Sequence, residues 1–153
     1  MIFVTVGTHQ QPFSRLLTAL AALPLDSLVV QHGCAAAPPG VAQAVPYMPF
    51  DEMLRQLEAA DHVITHAGVG SILAATRLGH VPIVVPRLKR YGEHVDDHQE
   101  QLTRALASSG SVVPAWDVSR LAELVASAPR RRQSTGEPAG LRLGAAVREA
   151  LTA

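Results

Sequence analysis

Cysteine is almost missing from this 153-residue chain: Cys34 is the only one. That excludes an intramolecular disulfide and leaves no argument for an oxidising compartment. Aromatic side chains make up 4% of residues, too few for a base-stacking nucleic-acid surface. Charge of one sign is lacking too, since 13 basic and 13 acidic side chains cancel, and no overall field draws a nucleic acid. Although 48% of residues are hydrophobic, no run reaches the roughly 18 to 20 uninterrupted apolar residues of a membrane span. The opening Met1-Ile-Phe-Val-Thr-Val-Gly7 carries neither a basic leader nor a small-residue cleavage site and reads as a first strand. The expectation is a single cytoplasmic domain able to bury a core, with no nucleic-acid partner.

Short apolar or β-branched runs ended by Gly, Pro or His predict six strands: Phe3–Val6, Leu28–Gln31, Ala44–Met48, His62–Thr65, Pro82–Val85 and Ser111–Pro114. Between them apolar residues recur every three or four positions, at Phe13 to Leu20, Met53 to Leu57, Ile72 to Leu78, Leu102 to Leu106 and Leu121 to Val125, which predicts helices. Alternating strands and helices, with near-continuous apolar strands, imply an α/β fold: a Rossmann-like, doubly wound parallel sheet covered on both faces. The sheet domain is expected over residues 1–127, a polar, proline-broken linker over 128–138 and an amphipathic helix over 139–153.

The segment Asp61-His-Val-Ile-Thr-His-Ala-Gly-Val-Gly-Ser71 runs from a strand through a glycine turn into a helix expected over Ser71–Leu78. Gly68 and Gly70 let backbone approach an anion with no Cβ between, Val69 lies in the turn, and the first-turn amides are free donors backed by the helix dipole. A diphosphate fits such a turn, although two glycines also serve simple close packing. The pattern is neither the dinucleotide Gly-x-Gly-x-x-Gly nor a P-loop with Gly-Lys-Ser. Ligands of doubly wound sheets bind at the carboxyl ends of the strands, and that rule gathers Gly7, Thr8 and His9, then His66 to Ser71, then Pro86 to Gln99, on one edge.

His98 and Gln99 both give and accept hydrogen bonds, as sugar hydroxyls require. The bland reading of Glu93, Asp96 and Asp97 is a solvated first helical turn. His66 either bonds a phosphate or caps backbone groups. His94 and His98, four apart, could share a helical face as zinc ligands do, and no third ligand accompanies them. No metal and no cofactor are therefore expected. His32, His62 and His80 read as packing or surface residues.

Three blocks, Val4-Thr-Val-Gly-Thr-His9, Ile64-Thr-His-Ala-Gly-Val-Gly-Ser-Ile-Leu73, and Pro82-Ile-Val-Val-Pro86 with Glu93-His-Val-Asp-Asp-His-Gln99, resemble the C-terminal half of glycosyltransferase family 28, the MurG-type group. They are most similar to its short stand-alone, PssE-type form. The resemblance implies one half-domain of a GT-B fold that binds a UDP-sugar, with Gly68, Gly70 and Ser71 near the diphosphate and His98 and Gln99 near the sugar. Gly7 and Thr8 would close the cleft. Many relatives carry a glutamate for the ribose where this chain has Ala74, so uridine selectivity is expected from other groups. The resemblance further implies an inverting transferase, a membrane-anchored acceptor-binding subunit, a lipid-diphosphate-linked sugar acceptor, and a place at the inner face of the cell membrane through that partner. His9 is the local candidate for a general base. The rival readings are a non-catalytic module that senses a sugar nucleotide, and a zinc hydrolase built on His94 and His98.

Overall fold

In a computed structural model, which describes residues 1–131, the chain forms one parallel six-stranded sheet. The strands are β1 (Ile2–Thr5), β2 (Leu28–Gln31), β3 (Gln43–Val45), β4 (His62–His66), β5 (Ile83–Val85) and β6 (Val113–Pro114), and the helices are α1 (Ser14–Ala19), α2 (Phe50–Ala59), α3 (Val69–Arg77), α4 (His98–Ser108) and α5 (Leu121–Ser127). Strand order is β3-β2-β1-β4-β5-β6. The order reverses at β1, so the crevice between β1 and β4 is the topological switch point where such sheets bind ligands.

Strand alternation divides the core. Val4, Leu28, Val30 and Ile64 face α1 and α5 through Leu16, Leu20 and Leu121, while Phe3, Val29 and Val63 face α2 and α3 through Leu57 and Ala75. Val84 meets α4 at Leu102 and Leu106 on that second face. With helices on both faces, β1 and β2 are buried at every position, which is why they read as unbroken apolar runs and not as alternating ones.

All six expected strands form, and their differences in extent have local causes. The third was expected over Ala44–Met48 but ends at Val45, because Pro46 has no N–H to continue the ladder. Residues beyond it are thereby freed to turn toward the cleft. The helix expected to begin at Ser71 begins at Val69, since Gly68 is already extended (φ −85°, ψ 130°) and its carbonyl accepts the first helical bond from Ile72 at 3.0 Å. Glu93 is also not the solvated residue expected: its side chain is buried and forked by Arg15.

The first residues of the expected linker run along the amino ends of the strands, where Arg131 donates to the carbonyls of Glu58 (2.7 Å) and Leu78 (2.6 Å). The rest of the linker and the expected helix over 139–153 lie outside the described residues. Among the described residues no helix is long and apolar enough to cross a membrane.

Candidate functional site

At the carboxyl ends of β1, β2 and β4 lies a cleft of about 450 Å³. Its shape begins with Gln31, the last residue of β2. The buried amide oxygen of Gln31 accepts from the Thr5 hydroxyl (2.6 Å) and from the amides of Val6 and Gly7 (both 3.2 Å). Its nitrogen donates to the carbonyls of Gly7 (3.0 Å) and Pro46 (2.7 Å). One side chain thus fixes the loop after β1 against the loop after β3. Gly7 in that loop has φ +77°, a region that glycine enters without strain.

The His66 ring lies between two glycines. A Cβ on Gly7 would stand 2.2 Å from His66 Nε2, and one on Gly68 would stand 2.2 Å from Cε1. The glycine signature therefore makes room first for an imidazole. Gly70 differs, because a Cβ there would meet nothing within 4 Å. Gly68 N–H donates to His66 Nδ1 at 3.2 Å, which leaves the proton of the neutral ring on Nε2. Burial first, then the charges of Arg87, His9 and His94, lower the His66 pKa from 6.5 to about 3. At neutral pH the ring is an uncharged donor beside Gly7, and among the described residues no acceptor bonds its Nε2.

Beyond Gly68, the amides of Val69, Gly70 and Ser71 precede the first intrahelical bond of α3 and have no helical acceptor. Together with the helix dipole they bring partial positive charge to the cleft. Gln99 completes this side. Its oxygen accepts from the amides of Ala67 (3.2 Å) and Arg87 (3.0 Å), so its NH₂ group remains to donate into the cleft that it lines.

The structure brings Gly7, Thr8, His9, His66, Gly68, Gly70, Ser71 and Gln99 to one cleft. His9 is half-buried, with Nδ1 3.1 Å from Gln11 Oε1. An Nδ1 proton donated there leaves the Nε2 lone pair free to accept one. Its ring packs 4.4 Å from that of His94.

Three expected residues stand apart. Val69 packs toward the α3–α4 core, Pro86 lines a separate hollow with Arg15 and Trp116, and His98, 75% exposed in its side chain, turns to Asp96. The Nδ1 atoms of His94 and His98 stand 3.0 and 3.3 Å from opposite oxygens of that same Asp96 carboxylate, and the His94 Nδ1 accepts from the Asp96 amide at 3.3 Å. His80 is a packing residue that bonds the Leu57 carbonyl at 2.6 Å.

Sequence reasoning missed one wall. Tyr47 (51% exposed) and Met48 from the loop after β3, with Phe50 (61% exposed) and Met53 from α2, also line the cleft. In a chain so poor in aromatics, two open rings beside one hollow form a surface for a planar, partly apolar group. The strand-end rule applied to β3 would have found them. None of the cleft-lining residues is acidic, so an anion meets no repulsion there. Ala74 lies in the core with Phe3 and Leu57 and does not line the cleft.

The sequence matches the glycosyltransferase family 28 C-terminal domain over residues 1–138. The chain belongs to that family. It is 34% identical over 120 residues, 76% of its length, to the UDP-N-acetylglucosamine–N-acetylmuramyl-(pentapeptide) pyrophosphoryl-undecaprenol N-acetylglucosamine transferase of Desulforudis audaxviator (strain MP104C), and covers 31% of that protein. It is 35% identical over 65 residues, 42% of its length, to the UDP-N-acetylglucosamine transferase subunit ALG13 of Yarrowia lipolytica (strain CLIB 122 / E 150), covering 33% of it. The chain therefore spans about a third of the length of these curated relatives. The sheet is that of a Rossmann-like half-domain, as the family implies.

Proposed function

We propose that the chain is the UDP-sugar-binding catalytic subunit of a two-component inverting glycosyltransferase. The observation that carries the reading is the lining of the cleft: neutral donors and free helix amides from His66, Gln99 and the start of α3, open aromatic and methionine side chains from the loop after β3 and from α2, and no carboxylate among the lining residues. A diphosphate suits the first set and a nucleoside the second. Relatives named for UDP-N-acetylglucosamine transfer support uridine as that nucleoside.

In the reaction, a sugar hydroxyl on a lipid-diphosphate acceptor attacks the anomeric carbon, the bond to the β-phosphate oxygen breaks, and UDP departs with the negative charge. The domain's part is to hold the donor and to stabilise that charge with the Gly68–Ser71 amides and the His66 and Gln99 donors. His9 faces the cleft as a proton acceptor. The acceptor site belongs to a membrane-anchored partner that holds this subunit at the cytoplasmic face, for polysaccharide or glycolipid synthesis. The second reading, a sugar-nucleotide sensor without catalysis, is favoured by the absence of acidic cleft residues among those described.

The test is reconstitution. Co-expressed with its membrane partner, the chain should transfer labelled sugar from a UDP-sugar into extracted lipid, and neither protein should do so alone. UDP binding without transfer by the complex selects the sensor, and absence of UDP binding ends both readings.

A further inference from the structure

Arg87, two residues past the end of β5, is the largest of the fully buried side chains, at 1% exposure. Its guanidinium ends on main-chain oxygens, not on a carboxylate. One terminal nitrogen donates to Gln11 O (2.7 Å) and Glu93 O (3.1 Å), and the other to Val6 O (2.7 Å). Nε is buried with no hydrogen-bond partner among the described residues. The cation also lies 4.8 Å from the Phe13 ring centre.

The nearby carboxylate is already taken. Glu93 is forked by Arg15, with both contacts at 3.0 Å, and accepts from the Leu88 amide at 3.1 Å. The Glu93 carboxylate is thus paired with Arg15, and the buried Arg87 charge is left with carbonyl dipoles and no carboxylate partner behind the cleft. Charge is costly to bury without a counterion, so its retention calls for an anion that arrives from outside. That field reaches the cleft floor, for after burial itself the Arg87 charge is the largest influence disfavouring protonation of His66.

Geometry links the cation to the cleft by three routes. Val6 O belongs to the residue before Gly7, Gln11 holds the His9 ring, and the Arg87 amide is bonded by Gln99. We propose that Arg87, anchored by the loops that shape the cleft, is the fixed counter-charge for a diphosphate bound there. The inference rests on the donor-binding reading above, and it assigns this charge to a side chain that does not line the cleft.

Full-length Arg87→Gln, Arg87→Lys and Glu93→Gln variants are titrated calorimetrically with UDP and with uridine, and melted by circular dichroism. Arg87→Gln should weaken UDP about tenfold, which is ~1.4 kcal/mol at 25 °C, while uridine affinity stays within about twofold. Arg87→Lys should recover most of the UDP affinity although it cannot make the three-carbonyl fork. Glu93→Gln, which unmasks a second cation, should raise the ratio of UDP to uridine affinity. Equal loss of UDP and uridine in Arg87→Gln, or a lysine variant no better than glutamine at equal melting temperature, would show a strut and overturn the proposal. If Arg87→Gln fails to fold, an unchanged ratio in Glu93→Gln overturns it. An unaltered chain that binds uridine but not UDP refutes the counter-charge alone, and one that binds neither removes the donor-binding reading with it.

Discussion

At Gly70 the demands of the fold and those of the ligand separate. Gly70 lies in the first turn of α3, is exposed, lines the cleft, and has open space where a Cβ would go. Alanine in a helix is favoured over glycine by up to about 1 kcal/mol. A domain of this size shifts its melting temperature by about 2–4 °C per kcal/mol. Gly70→Ala should therefore melt at the same temperature or up to about 4 °C higher. Its methyl group would nevertheless stand among the amides assigned to the diphosphate, so UDP affinity should fall by at least ~10-fold, or ~1.4 kcal/mol. Gly68→Ala is the contrasting variant: its methyl enters the buried His66 ring at 2.2 Å, and overpacking of that kind costs about 1–3 kcal/mol, so stability and binding should drop together. Thermal unfolding and calorimetric titration with UDP read both quantities. A Gly70→Ala chain that binds UDP as tightly as the unaltered one would refute placement of the diphosphate at this turn.

Two further outcomes follow from the same side chains. His66 has its pKa lowered from 6.5 to about 3 in the fold, so its contribution to stability is whole above pH 6.5 and drains away as pH falls toward 3. The loss amounts to about 2 kcal/mol by pH 5. Urea unfolding between pH 7.5 and 5 should be less pH-dependent in His66→Gln, with a residual slope from His62 and His80, whose pKa values burial also lowers; an unchanged slope would refute the buried neutral ring. Gln31→Leu strands the Thr5 hydroxyl and the Gly7 and Pro46 carbonyls and should destabilise the chain by about 2–4 kcal/mol. A urea midpoint unmoved by the change would deny Gln31 its role as the clamp of the cleft.

The elements were legible because buried parallel strands and amphipathic helices write their periods locally. Phe3, Val29 and Val63 needed only their neighbours in sequence to be read as strand residues. Boundaries depended on single residues: Pro46 ended β3, and Gly68 capped α3 two positions earlier than the apolar pattern suggested. The cleft was legible wherever the strand-end rule was applied, at Gly7, His9, His66 and Gln99, and invisible where it was not, at Tyr47 and Phe50. Gln31 and Arg87 carried no local signal. The first acts across 24 residues to Gly7 and the second across 81 to Val6, so their roles exist only once β1 lies between β2 and β4.

If the proposed function holds, the arrangement divides the work of glycosyl transfer unevenly. Departure of a nucleoside diphosphate needs donors fixed in place before charge develops, and the helix amides, the neutral His66 and Gln99 are such donors because Gly68 N–H, Ala67 N–H and Arg87 N–H have already fixed their orientation. Activation of an acceptor hydroxyl needs a proton acceptor with a free lone pair. His66 fails this requirement, since its Nδ1 is occupied and burial keeps it from becoming charged. His9 meets it in one respect only: Gln11 fixes its ring through Nδ1, while no carboxylate lines the cleft to stabilise the imidazolium that would result. On the proposed function the cleft is therefore much better built for releasing UDP than for deprotonating a sugar, and that asymmetry is the physical reason for placing the second half of the proposed chemistry on another polypeptide.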